Sequence, residues 1–272
     1  MSEDTLRLAI AQMTSGPDVD RNLEQVAMLA RQAADAGADL LMLPENATLL
    51  APTAERIAGA EPVDGTQINF CSDLASALGI GILVGSFSEL SDDPYRTYNT
   101  SVLLDRGGKV TATYRKVHLF DVDVDADTRF RESASTVAGD PQPVVATFDG
   151  WRLGLSVCYD LRFPELYRAL VAGGAEVLTV PAAFTFRTGA AHWEVLLRAR
   201  AIENLCWVAA PAQVGVPYAG RESWGHALVV SPWGDVVGQV SAPEVGLTVV
   251  DVRRQEQRAA RSRIPSLDHR RM

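Results

Sequence analysis

The sequence has few cysteines, and their spacing does not bring them together. Of its 272 residues only Cys71, Cys158 and Cys206 are cysteines, and no two of them form a CxxC pair. Such spacing argues against a structural zinc site and against a disulfide framework. We therefore expect three reduced thiols.

The sequence also lacks a long apolar run and a basic leader. Its first residues, MSEDTLRLAIAQM, are acidic, and no uninterrupted apolar stretch reaches the length of a membrane span. The formal net charge of −9 repels nucleic acid and anionic membrane surfaces, while 47% hydrophobic residues exclude disorder. These features predict a cytoplasmic protein that binds neither nucleic acid nor membrane.

Lysine is nearly absent. The 25 basic residues include only Lys109 and Lys116, and the other 23 are arginines. Lys109 follows two glycines in a predicted hairpin turn, where we expect exposure to solvent. Lys116 has no such explanation, which makes it a candidate functional residue.

The C-terminal segment 253–272 contains seven arginines. Acidic residues such as Glu256 and Asp268 are interspersed among them, which is not typical of a nucleic-acid-binding tail. We interpret this segment as a docking tail or subunit contact of a single domain that spans residues 1–272.

Strand and helix patterns alternate along the chain, and their order repeats once. Nearly continuous apolar runs are typical of buried strands in parallel sheets, and they alternate here with segments of helical periodicity. The pattern therefore predicts an α/β fold made of two similar halves. The predicted elements are strands 6–13, 39–45, 79–87, 144–148, 152–157, 176–184, 206–213 and 246–252, hairpins 101–116 and 226–240, and helices 19–36, 66–78, 164–172 and 190–204.

Three reactive side chains follow predicted strands. Glu45 ends DLLMLPE, Lys116 ends TATYRK, and Cys158 ends RLGLSV. Because ligands bind beyond the carboxyl ends of strands in α/β sheets, we expect these side chains to meet. There Glu45 would take the thiol proton as Cys158 attacks an amide or nitrile carbon. Lys116 and the backbone N–H of Tyr159 would stabilise the oxyanion.

Each of these residues also has an ordinary structural interpretation. Free cysteine is among the most buried residue types, so Cys158 can be an inert core residue, as we expect for Cys71 and Cys206. A second chemical alternative is a Cys–His pair, in which His118 is the histidine that could share a face with Lys116. The residues alone leave these alternatives open.

Six segments together make the sequence resemble the nitrilase, or carbon-nitrogen hydrolase, superfamily over nearly its whole length. PE alone is unspecific, but the combination in this order is highly specific. The segments are PE (44–45), YRKVHLFD (114–121), FRES (130–133), VCYDLRFPEL (157–166), HWEVLLRARAIEN (192–204) and SWGHALVVSPWG (223–234).

The resemblance implies a fold, a catalytic site and an assembly. It implies a four-layer αββα sandwich and a Glu-Lys-Cys triad formed by Glu45, Lys116 and Cys158, with Glu132 as an additional active-site glutamate. That glutamate would orient Lys116, share in proton transfer or cap its loop. The resemblance implies no metal or organic cofactor, and it implies a homodimer or higher homo-oligomer.

Three further residues are predicted to bind the substrate. Arg162 is a candidate clamp for a substrate carboxylate, because a guanidinium donates two parallel hydrogen bonds to one. An ion pair of Arg162 with Asp160 or Glu165 is its structural alternative. Phe184 would line the pocket beside Tyr159, although an aromatic residue there can equally belong to the core.

Within the superfamily the sequence most resembles the Nit-type amidases, which act on deaminated glutathione or on ω-amides of α-keto acids. The predicted reaction yields an acid and ammonia through a cysteine thioester. An N-carbamoyl amino acid amidohydrolase, a nitrilase and a nonenzymatic interaction module are the alternatives. The sequence departs from the group at ATLLAP (47–52) and at DADT (125–128), within the long irregular stretch 117–143.

Overall fold

The computed structural model describes residues 4–123 and 129–271, so DADT (125–128) lies outside the described residues. The strands are β1 (Thr5–Met13), β2 (Leu40–Met42), β3 (Gly81–Leu90), β4 (Thr97–Leu104), β5 (Val110–Arg115), β6 (Asp121–Asp123), β7 (Arg129–Arg131), β8 (Val145–Phe148), β9 (Trp151–Leu155), β10 (Val177–Thr179), β11 (Trp207–Ala210), β12 (Ala212–Tyr218), β13 (Arg221–Trp224), β14 (Leu228–Val230), β15 (Val236–Gln239) and β16 (Gly246–Arg253). The helices are α1 (Val19–Asp35), α2 (Thr53–Ala58), α3 (Thr66–Leu78), α4 (Pro164–Ala172), α5 (Phe186–Asn204) and α6 (Arg254–Arg263), with 3-10 turns at Glu132–Ala134 and Cys158–Arg162.

Two sheets with the same internal order form the centre of the molecule. In the first, β1, β2 and β3 are parallel and β4 and β5 continue antiparallel. In the second, β9, β10 and β11 are parallel and β14 and β15 continue antiparallel. The prediction of two similar α/β halves is confirmed.

The alternation of side chains along β1 shows how the layers stack. Leu8 and Ile10 pack in one apolar cluster with residues of the second sheet such as Leu153. Between them Ala9 points to the opposite face, where it packs with residues of α1 and α3 such as Leu29. Since α4 and α5 cover the outer face of the second sheet, the predicted four-layer αββα sandwich is confirmed.

Local signals account for the ends of α1. The side chain of Asp18 accepts a hydrogen bond from the Arg21 N–H at 3.1 Å, which caps the helix as expected for that residue type. Gly37 follows the helix with φ +71°, a conformation that glycine adopts without strain. Both boundaries agree with the sequence-based prediction.

Other elements differ from the prediction. The short helix α2 and the hairpin of β12 and β13 are additional, and within the stretch 117–143 strands β6 and β7 pair as an antiparallel ribbon. Strand β16 pairs with β1 of the first sheet, from Thr5 opposite Arg253 to Gln12 opposite Gly246. The second half of the chain therefore contributes a strand to the sheet of the first.

The C-terminal segment docks on its own chain as far as it forms helix α6. Arg254 Nε lies 2.6 Å from Glu176 Oε1, its guanidinium lies 4.3 Å from the centre of the Trp151 ring, and Gln257 Nε2 donates to the Glu176 carbonyl at 3.1 Å. A contact of this segment with another subunit stays a prediction.

None of the helices within residues 4–123 and 129–271 has the length and apolar character of a membrane span.

Candidate active site

Cys158 lies at a sharp turn between β9 and α4. Its backbone adopts φ +50°, which is unusual for a residue with a side chain, and its N–H donates to the Pro181 carbonyl at 2.9 Å. Such strained strand-to-helix turns present nucleophiles in other α/β enzymes. The surrounding structure thus holds the thiol at the end of the strand, where the sequence predicted it.

Asp160 holds this turn in place. Its carboxylate is fully buried and accepts hydrogen bonds from the Val157 N–H and the Tyr114 hydroxyl, both at 2.8 Å. These two bonds go to Oδ2. The other oxygen, Oδ1, accepts from the backbone N–H of His118 at 3.1 Å and lies 2.7 Å from His118 Nδ1. The His118 ring is also stacked on Phe163 at 3.7 Å. His118 therefore supports the turn and is not placed as the partner of a Cys–His pair.

Glu45 is buried near the Cys158 thiol, whose pKa its carboxylate raises. The carboxylate oxygen Oε2 of Glu45 accepts from the Ala183 N–H at 2.9 Å. The backbone carbonyl of Glu45 accepts from Gln213 Nε2, also at 2.9 Å. The loop of Glu45 passes so close to β3 that a Cβ at Gly85 would lie 2.0 Å from the Leu43 carbonyl oxygen. Only glycine fits there, and the close contact holds the loop that carries Glu45 against β3.

Lys116 places its ammonium between two carboxylates. Its Nζ lies 3.0 Å from Glu45 Oε1 and 2.9 and 3.1 Å from the two oxygens of Glu132, and the side chain is only 2% exposed. Glu132 Oε2 also accepts from the Phe120 N–H at 2.6 Å. Glu132 therefore both orients Lys116 and caps its own loop, two of the three alternatives that the sequence left open.

Asn99 belongs to this cluster, and the sequence analysis missed it. Its Nδ2 donates to Glu45 Oε1 at 2.8 Å and lies 3.4 Å from Glu132 Oε1, while its carbonyl accepts from the Lys116 N–H at 2.8 Å. Its own Oδ1 is buried without a hydrogen-bond partner among the described residues. An unsatisfied buried acceptor is destabilising, so the position of Asn99 beside the two carboxylates has a cost in stability.

The electrostatics favour a carboxylate next to a protonated thiol. Burial alone would raise the pKa of Glu45, but Lys116 and the hydrogen bonds from Cys158, Lys116 and Asn99 outweigh it and lower that pKa. Burial and the Glu45 carboxylate raise the pKa of Cys158 well above its usual range. Burial opposes the charge of Lys116, yet Glu132 and Glu45 hold its pKa well above the ordinary value. In the resting site Glu45 is therefore an ionised base, and Cys158 beside it is a protonated thiol.

This charge state makes a prediction for the pH dependence of the reaction. Because the pKa of Glu45 is lowered and those of Cys158 and Lys116 are raised, none of the three titrates near neutrality. We expect kcat/KM for amide hydrolysis to be flat from about pH 6 to about pH 9, and to fall only as pH drops through the lowered pKa of Glu45. An inflection near pH 6.5, as a catalytic histidine would give, would contradict it.

The cluster opens into a cavity of about 330 Å³. Two of the three residues predicted to bind substrate, Tyr159 and Phe184, line it. The wall, as far as the structure describes it, does not include the third, Arg162. The lining residues are Glu45, Asn46, Leu50, Ala51, Thr53, Arg56, Asn99, Lys116, Phe120, Arg129, Phe130, Arg131, Glu132, Ser135, Thr136, Cys158, Tyr159, Ala183, Phe184, Thr185, Thr188, Tyr218 and Arg221.

Arg162 takes a position that its distance from Cys158 in the sequence did not reveal. Its guanidinium lies 5.8 Å from the centre of the Tyr159 ring and 5.5 Å from that of Phe184, and its Nη1 is 3.3 Å from His192 Nδ1. Arg162 forms no ion pair with Asp160, because hydrogen bonds within and beside the turn already occupy the Asp160 carboxylate. Arg162 packs against two aromatic residues of the wall from outside the cavity.

The other two thiols lie away from this site. Cys71 and Cys206 are fully buried, and burial raises the pKa of each to about 12. Neither lines the cavity, and Cys206 Sγ donates to the Glu176 carbonyl at 3.0 Å. In the described part of the chain, no group of three or more His, Cys, Asp or Glu side chains is placed to hold a metal ion.

Comparison with known sequences supports the family resemblance. The sequence profile of the carbon-nitrogen hydrolase family matches residues 7–262. A Synechocystis protein named deaminated glutathione amidase is 42% identical over 264 residues, which cover 96% of this chain and 97% of that protein.

Solved structures agree with the sequence comparison. The crystal structure of the C. elegans NitFhit protein superposes with a TM-score of 0.92 at 35% identity, and the match covers all of this chain and 66% of that one. A variant amidase from Nesterenkonia, solved with an acetamide moiety covalently bound to its active-site cysteine, matches with a TM-score of 0.81 at 30% identity, over all of this chain and 98% of that one. The resemblance identified from the six sequence segments is confirmed, and the chain belongs to the carbon-nitrogen hydrolase family of the nitrilase superfamily.

Proposed function

We propose that the protein is an amidase that hydrolyses a small carboxylate-bearing amide, with deaminated glutathione as the leading candidate. The observation that carries this proposal is the convergence of Glu45, Lys116 and Cys158 in one cavity, with Lys116 Nζ 3.0 Å from Glu45 Oε1. Cys158 serves as nucleophile and Glu45 as base. Lys116 stabilises the oxyanion, and Glu132 holds Lys116 in place.

The first chemical step transfers one proton and forms one bond. As the Cys158 sulfur attacks the amide carbon, its proton passes to Glu45, and the carbonyl electrons move onto oxygen. In the resting site the Lys116 ammonium contacts three carboxylate oxygens, one of Glu45 and two of Glu132. Protonation makes Glu45 neutral and a weaker acceptor, which frees one Lys116 N–H for the oxyanion beside the Tyr159 N–H.

The remaining steps return the site to its starting state. The oxyanion collapses, the carbon–nitrogen bond breaks, and Glu45 gives its proton to the leaving amine. Water then attacks the thioester as Glu45 again takes a proton, and the carbon–sulfur bond breaks as Glu45 returns that proton to the Cys158 sulfur, which releases the acid and restores the thiol. Two proton transfers in each direction pass through one carboxylate, so a single base suffices for both halves of the reaction.

The choice of substrate rests on the Synechocystis relative and on chemistry. Deaminated glutathione carries a 2-oxoglutaryl group joined through its far carboxyl to a dipeptide, and the ω-amide of 2-oxoglutarate carries the same acyl group on ammonia. Both would give the same thioester on Cys158. Only the ω-amide releases ammonia, however, whereas deaminated glutathione releases a dipeptide. The predicted products, an acid and ammonia, thus apply to primary amides.

A panel of amides tests this function. It contains deaminated glutathione, the ω-amide of 2-oxoglutarate, simple aliphatic amides, a nitrile and N-carbamoyl amino acids, and the acid and amine products are both measured. We expect the two oxoglutaryl amides to be hydrolysed fastest, and the Cys158→Ala variant to lose roughly 10⁴-fold or more of that activity.

Each other outcome of the panel supports a different alternative. Carbon dioxide released along with ammonia would indicate an N-carbamoyl substrate, and preferred consumption of the nitrile would indicate a nitrilase. No hydrolysis of any compound, together with a Cys158 that small alkylating amides do not modify, would indicate a nonenzymatic module. Hydrolysis by Cys158→Ala at the wild-type rate would refute the proposed mechanism.

We further propose that the protein works in the cytoplasm as a homodimer or larger homo-oligomer. Large apolar side chains are exposed along α5 and beside it, among them Val195 at 68%, Ile202 at 49% and Trp233 at 51%. Exposed apolar patches of this kind are typical of protein interfaces. A second copy of the chain that covers α5 would remove them from water.

A further inference from the structure

Arg56 brings a guanidinium to the wall of the catalytic cavity from the short helix α2. We propose that Arg56, and not Arg162, is the residue by which this site selects amides that carry a carboxylate. This inference rests on the proposed amidase function, and it assigns the recognition of the substrate's charge to a residue that no motif had indicated.

The guanidinium is held in place by uncharged partners. Its Nη1 donates to Thr97 Oγ1, and its Nη2 donates to the Ser135 carbonyl at 3.1 Å and to Ser135 Oγ at 2.7 Å. An arginine has five N–H donors, and these bonds use three of them. Two N–H groups therefore have no acceptor in the part of the chain that the structure describes, and they are available to a bound carboxylate.

The positive charge of Arg56 also lacks a direct partner. No described Asp or Glu lies within ion-pair distance of it, in contrast to Arg115, which pairs with Glu89 at 2.6 Å. The carboxylates of Glu45 and Glu132 both form ion pairs with Lys116. A half-buried cation without a direct ion-pair partner is unfavourable in the empty site, and a substrate carboxylate in contact with it would relieve that penalty on binding.

Other arginines of the wall are less free. Arg131 lies 2.7 Å and Arg129 lies 3.7 Å from Asp123, and their side chains are 50% and 68% exposed. Arg221 donates to the Ala183 carbonyl, and its guanidinium lies 5.7 Å from the centre of the Phe130 ring. Arg56 combines a fixed position, free donors and an unpaired charge, and this combination favours it over its neighbours.

A pair of probe substrates separates recognition from a purely structural role. Succinamate carries a carboxylate, and 4-oxopentanamide replaces that carboxylate with a neutral methyl ketone of the same length. Ammonia release is measured with both. Because Arg56 also anchors Ser135, a purely structural role would lower the rates on the two probes equally.

We expect Arg56→Met to lower kcat/KM roughly 100-fold for succinamate and less than about tenfold for 4-oxopentanamide, mainly through KM. Arg56→Lys keeps the charge without the fork and should recover part of the preference. Arg162→Met tests the competing candidate, and Arg168→Met is a matched control on α4 that does not line the cavity. Both should keep the wild-type ratio.

The outcomes distinguish the two proposals. Equal losses on both probes in Arg56→Met, or a shifted ratio in Arg162→Met alone, would overturn the assignment of Arg56 and leave the amidase function standing. A wild-type enzyme inactive on both probes and on the whole amide panel would overturn the proposed function as well. If Arg56→Met does not fold, Arg56→Gln retains hydrogen-bond donors toward Ser135 and removes only the charge, and the same ratio decides.

Discussion

Glu45→Gln is expected to lower kcat roughly 10³-fold on every amide that the wild-type protein hydrolyses. Glutamine has nearly the same shape as glutamate but cannot take up the thiol proton. Its amide can turn its oxygen toward Lys116 and Asn99, but its NH₂ group then faces the N–H of Ala183, which now donates to Glu45 at 2.9 Å. We therefore expect a modest loss of stability beside a large loss of rate.

The measurement is the hydrolysis rate of Glu45→Gln beside that of Glu165→Gln. Glu165 is exposed on α4 and does not line the cavity, so the second variant makes the same chemical change without touching the site. A Glu45→Gln protein that folds normally and retains more than about a tenth of the wild-type kcat would show that another group accepts the proton.

Lys116→Met should affect both activity and stability. Without the ammonium, the buried carboxylate of Glu45 and the partly buried carboxylate of Glu132 have no cation between them. Removing one partner of a buried ion pair lowers the free energy of unfolding by about 3–5 kcal/mol, and loss of the oxyanion contact should lower kcat by roughly 10²–10³-fold or more. Lys116→Arg should also be impaired, because the planar guanidinium does not fit the space of the ammonium.

The stability effect has a defined pH dependence. In the wild-type protein Lys116 is the main influence that lowers the pKa of Glu45, and this contributes stability that is lost only as pH falls through that lowered value. In Lys116→Met burial is no longer opposed by the ammonium and the pKa of Glu45 rises, so the variant is penalised more as pH increases. Urea unfolding at several pH values should show a difference from wild type that widens from acidic to neutral pH.

The chain provides its own control for this experiment, since it has only one other lysine. Lys109 is exposed in the turn after β4, and Lys109→Met should leave unfolding and hydrolysis near wild-type values. Near-normal turnover by Lys116→Arg would argue against a fitted oxyanion contact. A Lys116→Met protein as stable as Lys109→Met at neutral pH would show that the buried cation does not hold the two carboxylates together.

The triad positions could be predicted from sequence because of the way parallel sheets are built. Strands β2 and β5 run in the same direction in the first sheet, so Glu45 and Lys116 follow strands that end at the same edge. Cys158 follows β9 of the second sheet, which packs against the first. Glu132 follows β7 in a segment whose pattern gave no strand, and only the family resemblance indicated it. The scarcity of lysine marked Lys116, whereas the abundance of arginine carried no comparable signal.

Asn99 and Arg56 illustrate what sequence patterns could not show. Asn99 lies inside β4, and its approach to Glu45 depends on how β4 and β5 pair and on the path of the loop after β2. Arg56 lies on a six-residue helix without buried residues, so no apolar periodicity announced it. Arg162 follows Cys158 by only four residues, but a 3-10 turn occupies that interval, and Arg162 does not line the cavity.

The path of β16 shows the same limit on the scale of the fold. GLTVVDV was correctly predicted as a strand, because its apolar β-branched residues are typical of one. Pairing with β1 across the two halves depends on the stacking of the sheets, which a local pattern does not contain. Element types are thus better determined by the sequence than their neighbours are.

Mass spectrometry of the acid-quenched protein can detect the thioester on Cys158 itself. Deaminated glutathione and the ω-amide of 2-oxoglutarate are each mixed with the protein and quenched during turnover. We expect the same oxoglutaryl mass on the peptide that contains Cys158 from both compounds, and none in Cys158→Ala. Turnover without an acyl group on Cys158, or with the group on Cys71 or Cys206, would contradict the proposed mechanism.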